Sequence, residues 1–163
     1  MIRIWLRRRW RARGHGIHSP FAYRMVTSVL RDCGRYYGYE VLEKRRSEDV
    51  RWLKLVFRIV CALEPGSVGG PLTAGEAEAV RLADSRAELT GDGIDADLTV
   101  ADGLSVSPVY PAEGRALFVR RTDPQERMEY LRGMPEGMSF TNGRVLLVVN
   151  RRGVPRQDFD TSF

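Results

Sequence analysis

His15 and His18 stand three residues apart and lead directly into Ser19, which places two titratable rings and a hydroxyl in one short stretch. On a helix that spacing would turn both imidazoles to one side, where they could hold a metal or move a proton. Gly14 and Gly16 argue for a loop instead, and no cysteine, aspartate or glutamate lies close by. The expectation is therefore structural: rings bonded to backbone at a helix entry, and no metal site. Ser19 precedes Pro20, the order of an N-cap and a first helical position, and no G-x-S-x-G elbow surrounds it. Tyr36, Tyr37 and Tyr39 could stack on bases or pack between helices and a sheet, and packing is the expectation. Cys33 and Cys61 fall on apolar helical faces and read as buried thiols. Two cysteines supply neither a disulfide framework nor the usual zinc ligand count. No residue is assigned as catalytic.

Charge is the second source of chemistry. The chain has 163 residues with a formal charge of +5, but residues 1–46 carry 12 Lys/Arg against 3 Asp/Glu. The other 117 residues carry 14 against 18, so a +9 head precedes a −4 body. Arg7, Arg8, Arg9, Arg11 and Arg13, interleaved with Trp5 and Trp10, could meet nucleic-acid phosphates or an anionic membrane surface. No apolar run reaches 18 residues, and the N-terminus lacks the apolar core of a signal peptide, so neither a transmembrane span nor export is expected. With few cysteines, a cytoplasmic compartment is the default. At 43% hydrophobic residues, disorder throughout is excluded.

The elements that would position these groups follow from periodicity. Ile2, Trp5, Leu6 and Trp10 suggest a short amphipathic helix. A second helix is capped by Ser19, buries Phe21, Met25, Val26, Val29, Leu30 and Cys33, and stops at Gly34. A third opens at Ser47-Glu48-Asp49 and carries Trp52, Leu55, Val56, Ile59, Val60 and Leu63 on a wide apolar stripe. Residues 1–64 thus read as an arginine-rich helical region. After Pro65-Gly66 short strands alternate with helices over residues 65–163. Strands are expected at 67–72, 87–90, 97–101, 115–121 and 143–150, with helices near 75–84 and from Asp123-Pro124 to Gly133. That alternation implies an α/β fold, a mostly parallel sheet of about five strands. The last dozen residues read as a poorly ordered tail.

Gly14-His15-Gly16-Ile17-His18-Ser19-Pro20-Phe21-Ala22-Tyr23-Arg24-Met25-Val26, followed by Arg35-Tyr36-Tyr37-Gly38-Tyr39-Glu40, resembles the N-terminal signature of a bacterial family of class I S-adenosylmethionine-dependent methyltransferases. The family opens with an arginine-rich helix, a GHGIHSPF-type helix entry and a Tyr-Tyr-x-Tyr segment. A Rossmann-like methyltransferase domain follows. The resemblance covers the first third to two-fifths of the chain and implies a reduced Rossmann-like fold with S-adenosylmethionine as the cofactor to test for.

Beyond residue 65 the chain departs from that pattern. Aligned with the family's glycine turn, Gly70 stands where an acid is expected, Leu72 where the first glycine is, and Glu76 where a later glycine is, with Thr73 in the turn. Asp92 is the candidate for the ribose hydroxyls and Asp102 for the adenine edge. The fourth strand runs into Arg120 and Arg121, and the fifth into Asn150-Arg151-Arg152, where the family has acids. The resemblance thus implies a methyltransferase-like protein with an eroded cofactor site (Gly70, Thr73, Asp92 and Asp102 its positional remnants) and no cofactor. It would act as a binding or structural partner of itself or of a homologous methyltransferase. The alternatives are an active methyltransferase with a divergent site, and a nucleic-acid binder using the basic head.

Overall fold

A computed structural model describes residues 13–14, 16–45, 48–93, 95–104, 110–151 and 153–163. The expected helix over the arginine head, with Arg7, Arg8, Arg9 and Arg11, lies outside the described residues, as does His15; Arg13 sits in an exposed turn.

Ser19 opens the first helix as its sequence position suggests. Its Oγ accepts the Ala22 N–H at 3.3 Å, and Pro20 starts α1 (Pro20–Arg24), which runs on into a π-helical turn, Met25–Leu30. Met25, Val26, Val29 and Leu30 are buried. The helix ends at Leu30 rather than at Gly34, because Asp32 captures the Gly34 N–H at 2.7 Å in a tight turn. Cys33 therefore never joins the apolar face and is exposed, which corrects the expectation of a buried thiol; Cys61 is half-buried. After the single turn α2 (Tyr39–Leu42), α3 (Val50–Leu63) is capped by Asp49, whose Oδ1 accepts from the N–H groups of Arg51 at 3.1 Å and Trp52 at 3.3 Å. Its stripe of Trp52, Leu53, Val56, Phe57, Ile59 and Val60 is buried.

The sheet has seven strands, not five: β1 (Ser67–Gly69), β2 (Glu88–Thr90), β3 (Leu98–Asp102), β4 (Ala116–Arg120), β5 (Met138–Thr141), β6 (Leu146–Val149) and β7 (Gln157–Asp160), in the order β2-β1-β3-β4-β6-β5-β7. Helix α4 (Ala74–Ala83) joins β1 to β2, and α5 (Pro124–Gly133) follows β4. The strands β2, β1, β3 and β4 are parallel. Strand β6 is buried at all four residues, as its unbroken Leu-Leu-Val-Val implies, but it runs antiparallel to both β4 and β5. The link from β5 to β6 spans only residues 142–145, too few for a parallel crossover. The tail supplies β7: the Thr161 N–H donates to the Thr141 carbonyl at 2.9 Å, Ser139 Oγ donates to Asp158 at 2.7 Å, and Phe159 stacks on Phe140 at 5.2 Å. Gln-Asp-Phe-Asp has one apolar residue, so only its neighbour β5 makes it a strand.

One apolar core holds residues from both sides of the expected boundary at 64, among them Met25, Phe57, Val68, Phe118 and Leu147. A smaller cluster of Val119, Tyr130, Met134, Leu146 and Val148 lies under α5.

The connection from β2 to β3 is the unusual part of the fold. Both strands flank β1 and run parallel to it, yet residues 91–97 alone carry the chain across. Parallel neighbours normally need a dozen or more residues, usually with a helix. The link therefore lies directly on the sheet: Thr99 Oγ1 donates to the Gly93 carbonyl at 2.5 Å, and a Cβ at Gly69 would overlap the Asp92 carbonyl and the Thr90 hydroxyl. Gly69→Ala is expected to lower stability by about 1–3 kcal/mol through overpacking. That is a fall of about 2–4 °C in Tm per kcal/mol for a chain of this size. Gly91→Ala, which meets nothing within 4 Å, is the control, and equal Tm values for the two variants would refute the close crossing.

Candidate functional site

The chain leaves β1 through Gly70, whose φ of +114° and contact with the Val100 carbonyl exclude any side chain. Pro71 is exposed just past the strand end, so it removes no ladder donor. Thr73 then caps α4. Its Oγ1 accepts the Glu76 N–H at 3.2 Å, while Glu76 Oε2 accepts the Thr73 N–H at 2.7 Å, a closed capping box. Glu76 is only 6% exposed, and its other oxygen accepts the Trp52 indole N–H at 2.5 Å. The Thr73 hydroxyl in turn donates to Glu48 at 2.9 Å. A Cβ placed on Gly75 would lie 2.6 Å from the Glu48 carboxyl carbon. The positive end of α4, the natural seat of an anionic ligand group, is thus filled by two of the chain's own carboxylates.

The four sequence candidates do not converge. Thr73 belongs to this carboxylate cluster. Gly70 lines a cavity of about 290 Å³ on the sheet face away from α3, together with Thr99, Ala101, Tyr110, Leu117 and Tyr130. Asp92 is exposed in the β2–β3 link, where its backbone carbonyl accepts from Thr90 Oγ1 at 3.0 Å. Asp102 ends β3 and is gripped by the guanidinium fork of Arg121. Ser19 is an N-cap and His18 is exposed. No group of three or more metal-ligating side chains occurs among the described residues. No helix among them is long and apolar enough to cross a membrane.

The tyrosine segment packs around Phe57. Ring centroids of Tyr36, Tyr37 and Tyr39 lie 5.5, 6.3 and 5.6 Å from it, edge-on. Tyr37 Oη donates to the Leu82 carbonyl at 2.7 Å, and Tyr36 Oη donates to Asp32. The Asp32 bond pushes the Tyr36 phenol up to about 12, and the same bond, with the Gly34 N–H, holds the Asp32 carboxyl below its ordinary value.

Sequence reasoning missed Glu48 and Trp52 as site residues; it read Glu76 as standing where the family has a glycine and, with Leu72, as a side chain that could plug the strand ends. Thr73-x-x-Glu76 was the available signal, since it is a capping-box pattern. No family model matches the chain, and no curated protein matches it.

Glu76→Ala removes a cap and strands a buried indole N–H, an expected loss of about 2–4 kcal/mol in denaturant unfolding. Glu76→Gln keeps an acceptor at both bonds and is expected to recover most of it; equal losses would refute the double role. The raised Tyr36 phenol contributes stability in full below its unfolded value of about 10, lost as pH rises through about 12. An alkaline absorbance titration of Asp32→Asn is expected to return one phenol towards 10, and an unchanged curve would refute the pairing.

Proposed function

We propose that this chain is a methyltransferase-like protein with a reduced Rossmann-like sheet and a closed S-adenosylmethionine site, serving a non-catalytic binding or structural role. The observation that carries the reading is the Glu48–Thr73–Glu76–Trp52 cluster over the start of α4, next to the GHGIHSPF-type signature. In doubly wound α/β sheets a ligand sits beyond the carboxyl ends of the strands where the strand order reverses. Here β1 is followed by β2 on one side and β3 on the other, so the reversal falls at β1.

The residues around that point do not suit the cofactor. Glu48 and Glu76 already hold the helix end, Glu48 between Arg45 and Thr73 and Glu76 between Thr73 and Trp52, so the place where an amino-acid carboxylate would dock is occupied by the chain's own groups. The ribose-side acid, Asp92, lies in a link folded across β1, and Asp102 is paired with Arg121. No methyl-transfer step is derived. The edge strands β2 and β7, half-buried at all but one residue each, offer backbone donors and acceptors to a second copy or a homologous methyltransferase, the partner class this reading favours.

Calorimetric titration with S-adenosylmethionine is the test, with no saturation expected up to about 1 mM, equivalent to about −4 kcal/mol. Micromolar binding that Asp102→Ala weakens would overturn the closed-site reading in favour of the alternative, a methyltransferase with a divergent site.

A further inference from the structure

A second concavity, separate from the start of α4, lies between α3, the segment after the π-helical turn, the carboxyl end of β4 and the β5–β6 loop. Its volume is about 840 Å³, within the roughly 300–1,000 Å³ of organic-ligand sites. Seven Lys/Arg side chains line it against two acids, Asp32 and Asp49; Arg31 and Asp32 come from residues 1–46, and the other charged groups from the body whose net charge is −4.

Ion pairs match part of this excess: Arg120 with Asp49, Arg121 with Asp102, and Lys54 with Glu43 at 2.5 Å. Asp32 is engaged by Tyr36 and the Gly34 N–H. Asp49 uses one oxygen to cap α3 and the other to accept from Arg120 at 3.3 Å. Arg58 donates to the backbone carbonyls of Leu30 and Asp32 and lies within electrostatic reach of the Asp32 carboxylate. Arg51 and Arg144 are exposed and make no side-chain hydrogen bond or ion pair among the described residues. Arg120 is held across the Trp52 ring at 5.7 Å, which fixes its position. The half-buried Val145 and Phe163 add an apolar wall beside these cations.

We infer that this groove binds a phosphate-bearing small ligand of nucleotide size, its phosphates on Arg51, Arg120 and Arg144 and its apolar part on Val145 and Phe163. Guanidinium forks match phosphate oxygens in pairs, so several in one concavity discriminate a polyphosphate from a single carboxylate. The groove shares Trp52 with the cluster at the start of α4, but Arg51, Arg120, Arg144, Val145 and Phe163 lie outside that cluster, so titrations with ATP and with S-adenosylmethionine test the two readings separately.

ATP is the probe, titrated calorimetrically at about 50 mM salt and again at about 200 mM, where phosphate contacts weaken. Saturable binding is expected, weakened about tenfold or more in the double variant Arg51→Gln/Arg144→Gln, which removes two charge-assisted contacts. Arg86→Gln, a change at a side chain 88% exposed outside the groove, is expected to leave affinity unchanged. Arg144→Lys keeps the charge without the fork and should fall between. Thermal unfolding of each variant separates lost binding from lost fold. Absence of ATP binding at millimolar concentration would overturn the inference, as would equal affinity in the double variant. Binding of a ten-nucleotide RNA with a steep salt slope, without ATP binding, would also overturn it in favour of nucleic acid.

Discussion

The hydrogen bond from the Trp52 indole to Glu76 joins the three parts of this protein. Trp52 lies on α3, stacks on Phe118 of β4 at 4.4 Å with its plane 18° from the other ring, and reaches the first turn of α4 through its N–H. An indole N–H buried without a partner would cost about 1–3 kcal/mol, so the carboxylate that accepts it must stay where it is. Glu76 is held in turn by the Thr73 backbone, and Thr73 by Glu48. Helix, sheet and crossover are fastened at one point. That point is the end of the helix where a doubly wound sheet would otherwise receive a ligand.

A second constraint acts on the same strand from the other face. Replacing a helical crossover with residues 91–97 presses backbone onto β1 at Gly69, while Gly70 beside it faces the Val100 carbonyl of β3, so neither position has room for a side chain. The strand at the centre of the topological reversal is thereby covered by its own connection and by its own helix cap. Both closures come from ordinary packing: a glycine pair facing backbone carbonyls, and carboxylates facing free N–H groups.

The charge of the chain divides into separate parts. The arginine head belongs to the sequence, whereas the cationic groove beside β4 is assembled from residues 31 to 144, far apart along the chain. Arg120 and Arg121, adjacent at the end of β4, have distinct roles. One is fixed over Trp52 beside Asp49, and the other neutralises Asp102. The groove therefore gathers positive charge in a region that is acidic on average.

Local chemistry was legible in the residues themselves. Ser19-Pro20, Asp49 and Asp123-Pro124 start their helices because each cap is satisfied within three residues. The strands at 98–102, 116–120 and 146–149 follow from apolar runs that have only a sheet to enter. The direction of β6, the existence of β7 and the exposure of Cys33 needed the tertiary structure. A strand's direction is set by the length of its connection, an edge strand of polar residues exists only through its neighbour's backbone, and a helix stops where a side chain captures the next N–H. The fate of the site was decided the same way. The sequence by itself determined the capping pattern Thr73-x-x-Glu76 after β1. Only the fold determined that Glu48, 25 residues before Thr73, would meet it at the start of α4, because a contact between distant residues depends on how α3 and α4 pack and not on any spacing along the chain.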